Sequence, residues 1–213
     1  FPIEKELSLD EVALKDVIAY IWSKNQGVFP LQHIGEGNYE PIDFLKINPG
    51  DSYELYAKIG DERVYAETYV PKYPKIKEAK LQGNYINCKI LPNSQTVYGA
   101  KYNIIPLDGL GQRFEEQVFY EISNVITDTT QAIEIKTSRL PNQYFGEPEK
   151  YFVSLTLYAF DENYKTYFET RENNKPIENI FSEGGGSVYW NVQGENSIGM
   201  FIAYSKLTLF DIK

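Results

Sequence analysis

The chain has 213 residues, of which 42% are hydrophobic and 24% are charged, so it is long enough to bury a core and too apolar to be disordered. Its net charge of −9 repels phosphate groups, which argues against nucleic-acid binding and against attachment to anionic lipid surfaces. The 18 tyrosines and 12 phenylalanines favour sheet over helix, because aromatic side chains fit a pleated, half-exposed surface.

Two strand pairs are predicted before residue 71. The first runs over 17–23 and 28–33, with Asn25-Gln26-Gly27 as the turn between the strands. Residues 9–21 also match helical spacing, but Val, Ile, Tyr and Trp crowd 17–23 and favour a strand. The second pair, 52–59 and 63–70, is the clearest hairpin, because Gly60-Asp61 forms a turn and apolar residues alternate on both strands. One side of this hairpin is expected to face a core.

A linker is predicted at 71–75, where two prolines interrupt any central strand. It divides the chain into a domain over 1–72 and a β-rich domain over 73–213. The first is interpreted as an immunoglobulin-like β-sandwich whose N-terminal strands are missing from this sequence, because the strands between 17 and 70 need a second sheet. The predicted fold class is all-β, with two sandwich-like antiparallel domains and one short helix.

Beyond the linker, strands are predicted at 76–81, 85–91, 97–105, 117–126, 133–136 and 151–160. A bulge is predicted at Gly99. The one helix is predicted over 161–171, where Asp161 can cap the first backbone N–H groups and tyrosines follow at helical spacing. Over 179–207 we expect a Gly-rich turn, a strand ending in Tyr189-Trp190-Asn191, a second turn and an aromatic closing strand.

The sequence contains no recognised catalytic constellation. His33 is the single histidine, no Gly-x-Ser-x-Gly elbow accompanies it, and it is interpreted as a half-exposed group at a strand end. Cys88 lies in a predicted strand and is interpreted as a small buried hydrophobe. One histidine and one cysteine cannot supply the ligands of a zinc site, so neither a metal nor a cofactor is expected.

Acidic residues leave two alternatives open. The pairs that could serve a two-carboxylate hydrolase are Glu115-Glu116, Asp161-Glu162 and Glu147 with Glu149. Neighbouring strand residues point to opposite faces, so adjacent glutamates cannot act together on one substrate, and solvated charge is favoured. The aspartates considered for calcium, without a spaced loop to support them, are Asp61, Asp108 and Asp128. We therefore expect a protein that is not an enzyme.

Aromatic side chains are the remaining functional signal from the residues themselves. Tyr144 and Phe145, in a predicted loop, and Trp190 are candidates for stacking on a sugar or another flat ligand. Loops carry binding residues disproportionately, which favours Tyr144 and Phe145. Aromatics on strands more often form cross-strand pairs, which weakens the assignment for Trp190.

Four segments occur in an order that is typical of one family. They are the hairpin 51–71 with its Tyr65-Ala66-Glu67 strand and proline exit, the acidic strand 114–122, the strand and Tyr-rich helix of 152–173, and the closing segment 190–205 with Asn191, Gly194 and Gly199. In this order they resemble a family of outer-membrane lipoproteins of Bacteroidetes, known as domain of unknown function 4249. The chain departs from the family in lacking the lipid-bearing N-terminal cysteine and in carrying extra residues at 195–197.

The resemblance implies a lipid-anchored, extracytoplasmic protein of the outer membrane that assists a TonB-dependent receptor encoded beside it. The segments 184–187 and 193–197 are candidate contacts with that receptor, through Gly185, Gly186, Glu195 and Asn196. None of the four segments is an enzyme signature. A structural or adhesive module of the envelope is the alternative function, and a two-carboxylate hydrolase is a further one.

Structural roles are predicted for three residues of the closing segment. Asn191 is expected to form a side-chain bond to the backbone, and Gly194 and Gly199 are expected to occupy turn positions with positive φ.

Overall fold

A computed structural model describes residues 13–109, 112–117, 119–171, 188–195 and 197–212. Strands make up 48% of the structure and helices 9%, and the strands form three antiparallel sheets. The predicted all-β, sandwich-like fold class is therefore confirmed. The described residues form two units. The first contains the chain up to Tyr69 together with Trp190–Phe201, and the second contains Val70–Tyr189 together with the chain from Ile202 onward.

The first unit is built on a five-stranded sheet of order β3-β2-β1-β4-β5. Its strands are β1 (Ile18–Ser23), β2 (Gly27–Gly35), β3 (Asn38–Pro41), β4 (Ser52–Ile59) and β5 (Glu62–Tyr69). The β4–β5 hairpin is the predicted one, and its turn uses Gly60 at a φ of 61°, which other residues rarely adopt. The predicted pairing of β1 with β2 is also confirmed.

The two faces of this sheet differ in burial. The inner face carries the buried side chains Ala19, Ser23, Tyr53, Ala66 and Thr68. The outer face carries the alternate residues of the same strands, which are half-buried or exposed. The sheet therefore has the period-2 pattern of a strand layer with one side in a core, as the alternation predicts.

The closing segment, Trp190–Phe201, belongs to the first unit, although all of 73–213 was predicted to form the second domain. It adds backbone pairing to the edge strand β5: Tyr65 N–H donates to Gln193 C=O at 2.9 Å, and Gln193 N–H donates to Tyr65 C=O at 2.7 Å. The Asn191 amide donates to Glu67 C=O and Phe201 C=O and accepts from Phe201 N–H. The predicted structural role of Asn191 is confirmed.

The two closing glycines behave differently. Gly194 has a φ of 156°, and a Cβ added there would lie 2.7 Å from the carbonyl oxygen of Arg63, so the backbones approach too closely for a side chain. Gly199 does not have a positive φ, and the prediction for it was wrong; an added Cβ would lie 3.2 Å from Val192 Cγ2. Position 199 therefore favours glycine because a side chain there would lie too close to Val192, and not because of a positive φ.

The second unit contains the other two sheets. The three-stranded sheet has the order β10-β7-β6, with β6 (Lys75–Gln82), β7 (Tyr85–Leu91) and β10 (Ile133–Lys136). The four-stranded sheet has the order β12-β11-β8-β9, with β8 (Thr96–Pro106), β9 (Phe114–Glu115), β11 (Tyr151–Asp161) and β12 (Tyr204–Phe210). A shared core joins them, drawn from Ile86, Cys88 and Ile90 of β7 and from Tyr98, Ala100, Leu155 and Leu157 of the larger sheet. This arrangement is sandwich-like.

The opposite face of the four-stranded sheet is covered by a second, aromatic cluster. Phe119 packs edge-on against Phe160, with ring centroids 5.6 Å apart, and Tyr164 stacks on Phe160 at 4.0 Å. Tyr164 comes from α2 (Asn163–Thr170), the predicted helix, and the carboxylate of Asp161 accepts a hydrogen bond from Asn163 N–H as expected of a cap. A further helix, α1 (Asn142–Gly146), and a 3₁₀ turn (Pro148–Lys150) were not predicted.

Two local predictions for the second unit were wrong. The predicted strand at 117–126 is not a regular strand in its described residues, 117 and 119–126, where Ile122 forms an isolated bridge with Gly99. Gly99 is not a bulge, because the β8–β11 register runs through it unbroken. Instead, the Phe119 ring lies where a Cβ of residue 99 would be. The predicted closing strand corresponds to β12, which extends beyond Leu207 to Phe210.

Candidate functional site

The most exposed large apolar side chain of the described residues is Phe44, which is 87% exposed. It lies in the apolar loop, residues 42–47, between β3 and β4. Ile42 and Ile47 of the same loop are 57% and 50% exposed, while Leu45 is half-buried. Such a cluster of exposed apolar side chains is typical of a contact surface, whereas single exposed apolar residues are ordinary.

The backbone of the apolar loop is held in place by hydrogen bonds to the sheet. Ile42 N–H donates to Pro30 C=O at 2.9 Å. The Lys46 carbonyl accepts from the Gln26 side-chain amide at 2.8 Å and from the Tyr53 hydroxyl at 3.1 Å. Tyr53 is only 2% exposed, so its hydroxyl is a fixed anchor at the base of the loop.

The far end of the loop is anchored through the same hydroxyl. Asn48 N–H donates to the Tyr53 oxygen at 3.0 Å, and the Asn48 amide donates to the Asp51 carboxylate at 3.3 Å. The sequence folds this way because Asn48-Pro49-Gly50-Asp51 forms the turn that leads into β4. The result is an ordered backbone that presents Phe44 to solvent, beside an open groove of about 370 Å³.

The outer face of the sheet is the second exposed feature of the first unit. Tyr20, Tyr56 and Tyr65 stand side by side on β1, β4 and β5, with neighbouring ring centroids 5.1 Å apart. The rings of Tyr20 and Tyr56 are nearly parallel, at 18°, so they stack on one another across the strands. Because the ring faces of Tyr20 and Tyr56 already pack against each other, a flat ligand would contact the ring edges.

Carboxylates modify the tyrosines of this row. The hydrogen bond that Tyr56 donates to Glu54 raises the pKa of the Tyr56 hydroxyl to about 12. Burial, with the nearby Glu54 and Glu67 charges, raises the pKa of Tyr65. Both phenols therefore remain neutral at physiological pH and act as hydrogen-bond donors rather than as bases.

The predicted stacking residues belong to different units, Tyr144 and Phe145 to the second and Trp190 to the first. Tyr144 is 6% exposed and belongs to the core of the second unit, and Phe145 packs beside it at 5.3 Å in α1 rather than in a loop. The loop interpretation of this pair is corrected: both are core aromatics. Trp190 is half-buried in the closing segment of the first unit.

The predicted receptor-contact residues are only partly within the described chain. Glu195 is exposed in the turn that follows Gly194, where it is accessible to a partner. Gly185, Gly186 and Asn196 lie outside the described residues.

Several of the acidic residues considered for a two-carboxylate hydrolase have structural hydrogen-bond or ion-pair partners. Glu116 is 6% exposed and accepts backbone hydrogen bonds from Tyr102 at 3.2 Å and Ser138 at 2.8 Å, while Glu115 is exposed on β9. Glu147 binds Lys150 at 2.6 Å. Within the described ranges, no three His, Cys, Asp or Glu side chains are grouped to hold a metal ion.

The histidine and the cysteine both lie where the sequence placed them. His33 is half-buried near the end of β2, where its Nε2 accepts a hydrogen bond from Gly37 N–H at 3.2 Å. Cys88 is fully buried in the core of the second unit, and burial raises the pKa of its thiol to about 11. The thiol therefore stays protonated and acts as a hydrophobe.

Comparison with known proteins gives no family assignment. No protein-family model matches the chain, and no curated protein matches it. Among the described residues there is also no helix with the length and apolar character needed to cross a membrane.

Neither exposed feature of the first unit was predicted from the sequence. The apolar loop had a signal, since Ile42, Phe44, Leu45 and Ile47 lie without strand periodicity between two prolines. The outer-face tyrosines had another, because the hairpin turn at Gly60 fixes the register that places Tyr56 opposite Tyr65.

Proposed function

We propose that this protein is a non-enzymatic, lipid-anchored protein of the cell envelope that binds a TonB-dependent outer-membrane receptor as an accessory partner. The apolar loop is the observation that supports a partner-binding role. Phe44 is 87% exposed on a backbone held by Tyr53, Gln26 and Pro30. An apolar side chain on an already ordered backbone loses little conformational freedom on entering a partner's pocket, which favours its use as an interface anchor.

The receptor is proposed from the resemblance to the lipoprotein family. In the full-length protein, a lipid on the N-terminal cysteine would hold the chain at the outer membrane. Tethering beside a receptor raises the effective concentration of the two partners, so a small contact centred on Phe44 is sufficient. The acidic surface of the chain, with a net charge of −9, suits a polar rim around that contact.

The test is affinity purification of the full-length protein from detergent-extracted outer membranes, with identification of the proteins that accompany it. Wild-type protein is expected to recover a TonB-dependent receptor in near-equal amount. Phe44→Asp is expected to lower the recovered receptor by about tenfold or more, because losing a hot-spot anchor costs about 2 kcal/mol or more. Leu107→Asp is the matched control, since Leu107 is 66% exposed in the second unit and its replacement should leave recovery unchanged.

Two results would contradict the proposal. Equal recovery of the receptor with Phe44→Asp would show that the apolar loop is not the contact. Recovery of the wild-type protein alone, or with the cell wall and no receptor, would replace the transport role with that of a structural or adhesive module.

A further inference from the structure

The charges on the outer face of the first unit are sorted into rows that run across the strands. The register pairs Lys58 with Arg63, Tyr56 with Tyr65, and Glu54 with Glu67. On β1, the residues opposite β4 at the same three levels are Ile18, Tyr20 and Trp22. The face therefore has a cation row, a tyrosine row and a carboxylate row. Same-face residues along a strand are about 6.7 Å apart, so the cation and carboxylate rows are about 13 Å apart.

This sorting is unfavourable within the sheet itself. Like charges directly opposite one another on neighbouring strands repel, and the face has two such pairs. Lys58 and Arg63 form no ion pair within the part of the chain that the structure describes, and Glu54 and Glu67 accept hydrogen bonds from tyrosines rather than from cations. The stability of the isolated unit does not explain this arrangement.

The charge pattern of the outer face is complementary to the same face of a second copy of the chain. A twofold axis lying along the tyrosine row, between two sheets packed face to face, places each cation row over the carboxylate row of the other copy. Lys58 of one copy then faces Glu54 of the other, and Arg63 faces Glu67. We infer that the outer face is the interface of a symmetric homodimer, in which two tyrosine rows pack against each other between two flanking rows of ion pairs.

Apolar groups support the same arrangement. The axis brings Ile18, which is 70% exposed, against Trp22 of the second copy. Stacked sheets pack about 10 Å apart, which leaves room for one layer of tyrosine rings from each copy. Val28 on β2 extends the apolar margin of the face and is 57% exposed.

The size of the face sets the expected strength of the dimer. Five strands about 4.8 Å apart and about 20 Å long present a flat area of roughly 500 Å², which side-chain relief enlarges. A standard interface buries about 800 Å² on each partner, so the dimer is expected to be of moderate strength and to depend on concentration. Because ion pairs flank the tyrosines, added salt should weaken it.

Charge reversal gives a test that depends on the proposed geometry. Lys58→Glu and Glu54→Lys, each made in the full-length chain, place like charges at both symmetry-related contacts and should each weaken self-association. Mixed together, they restore attraction at both contacts and should form a heterodimer. Arg63→Glu mixed with Glu67→Arg is a second pair with the same logic. Lys136→Glu, an exposed strand position in the second unit, is the control for the change in net charge.

Sedimentation velocity between about 1 and 200 μM, at low and high salt, measures the outcome, in a range chosen for a moderate interface. We expect dimerisation of wild type and of Lys136→Glu, at least tenfold weaker association of each single reversal, and recovery on mixing. A wild-type protein that stays monomeric at all concentrations would overturn the inference. The same result is expected if another protein, or another part of the full-length chain, covers this face. Undiminished dimers of the single variants, or no heterodimer in either mixture, would overturn it as well.

Discussion

The contact between Gly99 and Phe119 gives the most quantitative prediction for the second unit. A Cβ added at Gly99 would lie 2.7 Å from Phe119 Cδ1, so the ring must move until the separation is at least 3.4 Å. The ring is not free to move, because it is 8% exposed and lies edge-on against Tyr158 at 5.3 Å and Phe160 at 5.6 Å. Gly99→Ala is therefore an overpacking substitution.

The expected cost follows from two opposing effects. Inserting a methyl group into a packed site costs about 1–3 kcal/mol. Replacing glycine by alanine also restricts the unfolded chain, which returns about 0.4–1 kcal/mol. The net destabilisation should be about 1–2 kcal/mol. Gly146→Ala is the control, because nothing lies within 4 Å of its added Cβ and its φ is not positive, so only the second effect applies.

Hydrogen exchange of the β8 and β11 amides, followed by mass spectrometry, measures this difference as a change in the opening free energy. Gly99→Ala should accelerate exchange in both strands, and Gly146→Ala should not. In the background of Phe119→Leu, the penalty of Gly99→Ala should fall, because the ring that clashes is gone. Unchanged or slower exchange in Gly99→Ala would refute the close packing of Phe119 on Gly99.

Three further predictions concern single side chains. Asn191→Ala leaves backbone groups of Glu67 and Phe201 unpaired and should therefore destabilise the first unit by about 2–4 kcal/mol. Thermal unfolding followed by tryptophan fluorescence measures this effect, and an unchanged melting temperature would contradict it. Because the pKa of Tyr56 is raised from 10.0 to about 12, the stabilisation linked to its titration is present below pH 10 and lost between pH 10 and 12. Tyrosinate absorbance should show this late titration, and Glu54→Gln should bring it earlier. Cys88, with a pKa raised to about 11, should react with a thiol reagent at pH 8 only after unfolding, and rapid labelling of the native protein would show that the thiol is accessible.

The strands that the sequence predicted most accurately are those with a clear local strand pattern. β4, β7 and β10 have the predicted bounds, because their apolar residues alternate and glycine or polar turns delimit them. The segment 117–126 was mistaken for a strand because its aromatic and β-branched residues have high strand propensity. Its structure is decided instead by Phe119 packing on Gly99 and Phe160, contacts that no local pattern contains.

The candidate sites were harder to predict from the sequence than the strands, because they depend on which side chains the fold leaves exposed. Alternation placed Tyr53 on the core side of β4, but it could not show that the hydroxyl of this residue would anchor the loop carrying Phe44. The charge rows of the outer face can be recognised only when the register that places Lys58 opposite Arg63 is known. Tyr144 shows the opposite error: a polar, Pro- and Gly-flanked segment indicated a loop, yet the residue fills the core of the second unit.

The membership of Trp190–Phe201 in the first unit has a consequence for biosynthesis. Tyr65 on β5 obtains its backbone partner, Gln193, from a part of the chain made more than a hundred residues later. During translation the first unit therefore emerges with one sheet edge unpaired, and it stays so while the strands of the second unit are synthesised. An unpaired edge is a template for aggregation, so we expect nascent chains to need protection, for example by a chaperone, until residue 201 has left the ribosome.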